Sequence, residues 1–133
     1  MGYGTDGLSF NTLRAVNMCR AGEARAYDKC KHWTHAQWMQ ALVGEVGELA
    51  NILKKVDRGD YPIEQVKPEI EKELADIQIY LDLLASNLDV HLGKATAAKF
   101  NEVSRRRKVD VYIKYDLSDY VLDEDRSFGR EDK

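Results

Sequence analysis

Cysteine is almost absent from this 133-residue chain: Cys19 and Cys30 stand eleven positions apart and form no C-x-x-C pair. That argues against a disulfide framework and predicts two reduced, structural thiols. No apolar run approaches the ~18 to 20 residues that span a bilayer, and "MGYGTDGLSF" lacks the basic-then-apolar order of a signal peptide. The expectation is a cytoplasmic protein with no membrane partner. An excess of positive charge is missing too: 20 Lys and Arg against 23 Asp and Glu leave a net charge of -3, which disfavours a nucleic-acid-binding surface. There are three histidines, His32, His35 and His91, and none has a glutamate three positions before it. The Glu-x-x-His pattern of di-iron bundles is therefore excluded. Internal repeats and low-complexity blocks are also lacking. What remains is 44% hydrophobic and 32% charged, the balance of a soluble globular protein long enough for one domain with a core.

Hydrophobic spacing predicts four helices. The first lies within residues 8–30, "LSFNTLRAVNMCRAGEARAYDKC", with a cap at Ser9 or Asn11. The second is capped by Thr34 and reaches about Val56, its apolar stripe running through Trp38, Leu42, Val46, Leu49, Leu53 and Val56. "DRGDYP" then breaks the pattern with Gly59 and Pro62. A third stripe follows through Val66, Ile70, Leu74, Ile77, Leu81, Leu84 and Leu88. Gly93 is expected to interrupt, and "KATAAKFNEVSRRRK" reads as a fourth helix whose Arg105 to Lys108 complement the negative end of its dipole. Residues 1–108 form the expected helical domain. Beyond them "VDVYIKYDL" alternates as a short extended segment, and residues 109–133 end in a polar tail expected to be disordered.

"GEVGELANILKK", residues 44–55, sets Glu45 and Glu48 on one flank of the second stripe. In the third helix Glu69, Glu73, Asp76 and Tyr80 line the flank of theirs. The short "DRGDYP" connection favours antiparallel packing, which lets Glu45 and Glu48 meet Glu73 and Asp76 across the groove. Four converging carboxylates repel one another but suit a hard divalent cation, Mg²⁺ above all, which keeps waters and bridges to phosphates. Gly44 and Gly47 would let a backbone or a substrate approach closely. The competing reading of the same spacing is a solvated acidic helix face, with the glycines serving tight packing. On the third helix Ile79, Leu83 and Ala85 lie beside the main stripe and suggest a buried subunit interface, hence a homodimer or homotetramer.

"ALVGEVGELA" and "EKELADIQIYLDLLA" together resemble the MazG-like all-α nucleoside triphosphate pyrophosphohydrolases, whose members include dimeric dUTPases and dCTP pyrophosphatase. The likeness spans helices two to four and implies an oligomeric, four-helix bundle-like fold with a short extended C-terminal tail. It implies that Glu45, Glu48, Glu73 and Asp76 hold Mg²⁺, with Mn²⁺ as a possible substitute, and that Tyr80 lines the nucleotide pocket. "AAKFNEVSRRR" looks like the family's later basic motif, which gives Lys99, Asn101 and Arg105 phosphate contacts. An ordinary helix end would carry the same residues. Within "KHWTHAQWMQ", a region that helps form the base and sugar pocket in that family, Trp33 is the stacking candidate and His35 a further substrate contact; Trp38 reads as packing. His32 and His35 also have the spacing of a metal pair. The implied reaction is attack of a metal-activated water on the α-phosphorus of a nucleoside triphosphate, with Glu48, then Glu45, as proton acceptor. A phosphoribosyl-nucleotide pyrophosphohydrolase and a non-enzymatic helical interaction module are the alternatives.

Overall fold

A computed structural model describes residues 7–22 and 32–114. Within them run four helices, α1 Phe10–Ala21, α2 His35–Asp57, α3 Ile63–Asn87 and α4 Leu92–Arg107, and the described residues contain no strand. The fold is all-α. α2 starts where Thr34 and Gln37 close a reciprocal capping box: the Gln37 N–H donates to Thr34 Oγ1 at 3.2 Å and the Thr34 N–H to Gln37 Oε1 at 2.8 Å. It stops at the turn through Gly59, whose φ of 86° suits a residue without Cβ. α3 begins three residues before the first member of its stripe, with Pro62 in the N-cap position. It also carries Pro68 in its second turn, where the missing N–H removes the i→i−4 hydrogen bond to the Glu64 carbonyl.

α2 and α3 lie antiparallel and make the most extensive helix contact. Their core is Trp38, Leu42, Leu83 and Leu84, with Ile77, Tyr80 and Leu81 packed against it. α1 closes the far side of α3 through polar groups. Asp82 is 1% exposed and accepts hydrogen bonds from Arg14 Nε at 3.0 Å and Asn17 Nδ2 at 2.9 Å. A second Arg14 nitrogen donates to the Val90 carbonyl at 2.8 Å, tying α1 to the α3–α4 turn. α4 makes its main helix contact with α1.

Several expectations need correction. The first helix ends at Ala21, where Gly22 follows, and residues 23–31 lie outside the described part. Ser9 is its cap, with its side chain accepting from the Thr12 N–H. Cys19 is free as expected, yet exposed rather than packed; Cys30 lies outside the described residues. Gly93 does not interrupt the chain: it is buried in the first turn of α4, and the break falls earlier, at Asp89 with φ 58°. Leu83 and Ala85, expected at a subunit face, are already buried within the single chain, and Ile79 is partly buried against the same core, where Met18 of α1 also packs. The apolar surface left open is different. Val46 is 46% exposed and Leu74 53%, with Met39, Val43 and Leu53 also exposed, since the α2–α3 contact covers only part of each stripe. Residues 109–114 follow α4 without strand pairing, and the expected polar tail lies outside the described residues.

Candidate functional site

The antiparallel pair brings the acids together at its middle. Oxygens of Glu45, Glu73 and Asp76 all lie within 4.8 Å of one another. That is close to the roughly 4 Å between opposite ligands on an ion with Mg²⁺–oxygen bonds of about 2.0–2.1 Å. Glu48 lies outside this three-membered set but beside it, its charge acting on both Glu45 and Glu73 and its carboxyl sharing a hydrogen bond with Glu73. Burial pushes the Glu45 carboxyl above its ordinary range, and the charges of Glu48, Asp76 and Glu73 push it further. Glu73 is raised by burial and then by the charge of Glu48. Its Oε2 is buried without a hydrogen-bond partner. An orphaned carboxylate oxygen among mutually repelling acids fits a hard cation with oxygen ligands. No described cluster of metal-ligating groups includes His32 or His35.

One turn beyond Asp76, Tyr80 lies 6.4 Å from the wholly buried Trp38, ring centre to ring centre. Trp33 packs edge-on against Trp38 at 4.9 Å, so three aromatic rings form a row ending beside the acids. Trp38 is core, as its place in the stripe predicts. His35 is engaged elsewhere, hydrogen-bonded through Nδ1 to the buried Asn87 at the far end of α3. The basic motif is not brought to the acids by any described hydrogen bond or ion pair. Lys99 pairs on the surface with Glu102 at 2.7 Å, and Arg105 is exposed. Asn101 spends its amide on the returning chain: Nδ2 donates to the Ile113 carbonyl at 2.8 Å and Oδ1 accepts the Ile113 N–H at 2.7 Å.

A methyl group added at Gly44 or Gly47 would meet nothing within 4 Å among the described residues, so the space above both glycines is open. The spacing argument passed over Asp82. A lone acid inside the apolar run "IYLDLLA" is its signal, because such a group stays in a core only when paired.

These features define an all-α protein that presents acidic helix faces suited to a hard cation. Residues 33–109, more than half of the chain, match the MazG nucleotide pyrophosphohydrolase domain, and the chain belongs to that family. It is also similar to "Gene 37 protein" of Mycobacterium phage L5, with 35% identity over 68 residues, 50% of this chain and 60% of that relative. No solved structure matches the chain.

Proposed function

We propose that the chain hydrolyses a ribo- or deoxyribonucleoside triphosphate to the monophosphate and pyrophosphate, in keeping with a role in sanitising or regulating the nucleotide pool. The observation that carries this reading is the convergence of Glu45, Glu73 and Asp76, with Glu48 at their edge, inside the region that matches the family. Glu45, Glu73 and Asp76 would hold Mg²⁺, or Mn²⁺ in its place, with Glu48 beside them. When bound, the ion supplies charge neutralisation and lowers the pKa of the attacking water. Glu48 takes the proton as the water oxygen bonds to the α-phosphorus. The bond from that phosphorus to its bridging oxygen breaks, and pyrophosphate leaves. Glu45 is the second choice as proton acceptor, being closer to the ion and less free to accept. Tyr80 and Trp33 flank the base. Lys99 and Arg105 meet the phosphates, while Asn101 would first have to release Ile113, and His35 to release Asn87. The catalytic unit is assigned to residues 1–108, and the open Val43, Val46 and Leu74 surface to contact with a second copy in a homodimer or homotetramer.

A panel of ribo- and deoxyribonucleoside triphosphates with Mg²⁺, read by separating pyrophosphate from orthophosphate, tests the proposal. Pyrophosphate release is expected, with Glu48→Gln lowering kcat about 10²- to 10⁴-fold. Turnover of a phosphoribosyl nucleotide alone would move the substrate class. No turnover, with thermal stability unchanged by Mg²⁺ and nucleotide, would leave a non-enzymatic interaction module.

A further inference from the structure

α4 leaves one face open among the described residues. Thr96, Lys99, Phe100 and Val103 line an open groove of about 770 Å³ together with Val109 and Val111 of the chain that follows the helix. Its walls are mostly apolar and not covered by any described residue, with Phe100 44% and Val111 56% exposed. The described chain turns back along α4 as far as residue 114. Lys108 adopts the left-handed conformation, φ 56°, and the N–H groups of Lys108 and Val109 cap α4 on Arg105 and Ser104 at 3.1 and 2.9 Å. The backbone then reverses. By Ile113 it has come back beside Asn101, which grips both its N–H and its carbonyl.

We infer that the α4 groove is the docking surface for residues 115–122 of this same chain, "YDLSDYVL". Reach permits it: eight extended residues span up to roughly 26 Å, and the 16 residues of α4 measure about 24 Å. Composition matches the surface. Leu117, Tyr120, Val121 and Leu122 supply apolar groups for the groove. Charge is complementary as well. Residues 115–125 carry Asp116, Asp119, Asp123, Glu124 and Asp125 with no Lys or Arg, and Lys99 and Arg107 line the groove, with Arg105, Arg106 and Lys108 alongside. The exposed Lys99–Glu102 pair is weak enough to exchange partners. Lys99 and Arg105 are also the proposed phosphate contacts, and the test reads docking without reading turnover.

The test is a cross-link in the full chain. Thr96→Cys and Leu117→Cys are combined with Cys19→Ser and Cys30→Ser, oxidised at low protein concentration and mapped by mass. The expected result is a disulfide within one chain, forming at a rate that does not change on dilution. A matched variant with Asn51→Cys, on exposed α2, in place of Thr96→Cys should not cross-link. Failure of the Thr96 pair to link, equal linking in the Asn51 control, or a link between two chains each overturns the inference, the last assigning the groove to a second copy. A second measurement avoids new cysteines: with Leu117, Tyr120 and Val121 all changed to Ser, amide hydrogens of residues 95–103 should exchange several-fold faster than in the unaltered chain. Unchanged exchange would equally overturn it.

Discussion

Glu45 and Glu73 carry the sharpest consequence of the cluster, because burial and neighbouring carboxylates raise both above the ordinary 4.5. A carboxyl raised in the folded state adds stability that is complete below pH 4.5 and lost as pH climbs through the folded value. Without metal, the protein should therefore melt at lower temperature as pH rises through that window. Mg²⁺ replaces the shared protons, so its gain in Tm should be larger at pH 8 than at pH 5, and Glu73→Gln should flatten the metal-free dependence. Thermal melts at the two pH values check this; equal Mg²⁺ gains would sink the cluster as a cation site. These residues were legible in the sequence because helical geometry alone sets i, i+3 acids on one flank. The separation of Glu48 from the other three was not, because it depends on side-chain placement across the groove rather than on spacing.

At the scale of elements, α1 is held by a buried carboxylate and α4 begins at a histidine. Replacing Asp82 by Ala strands Arg14 and Asn17 and should cost about 3–5 kcal/mol, measurable by urea denaturation. A loss below about 1 kcal/mol would show the network to be dispensable. His91 caps α4, its Nδ1 accepting the Lys94 N–H at 3.3 Å, and burial, then the charge of Arg14, lowers its pKa below 6.5. A histidine depressed on folding contributes stability that is intact above pH 6.5 and lost as pH falls through its folded value. Amide protection in the first turn of α4, taken relative to the intrinsic exchange rate at each pH, should thus fall on acidification, and His91→Asn, which caps without titrating, should abolish the effect. Thr34 and the breaks around Gly59 could be read directly, since caps and turns are local. The α3–α4 break was misplaced at Gly93 because a glycine marks a turn only when its backbone needs one, and here Asp89 takes the left-handed conformation instead.

For the whole molecule, the unanswered apolar surface is the feature that single-chain packing leaves over. Met39, Val43, Val46, Leu53 and Leu74 are all exposed, and an assembly of at least twice the 15.2 kDa chain mass is the expected species in sedimentation velocity. Val46→Lys should shift it to one chain; an unaltered monomer at micromolar concentration would remove the assembly from the proposal. Helical stripes were visible in the sequence, but which stretches one chain covers and which it leaves open was not, because that division depends on where α1 comes to rest. The empty space over Gly44 and Gly47 gives this a measurable form. Each glycine forgoes about 1 kcal/mol of helix stability relative to alanine, with no described neighbour to justify it. Gly44 lies one turn before Glu48 and Gly47 one turn after Val43, and as an i, i+3 pair the two glycines share one side of α2. Alanine at either should raise the Tm of the isolated chain and slow turnover, read as pyrophosphate release; unaltered turnover would remove the clearance role from both glycines. Two methyl groups thereby become gauges, both reporting the arrival of a visitor on one side of the same helix.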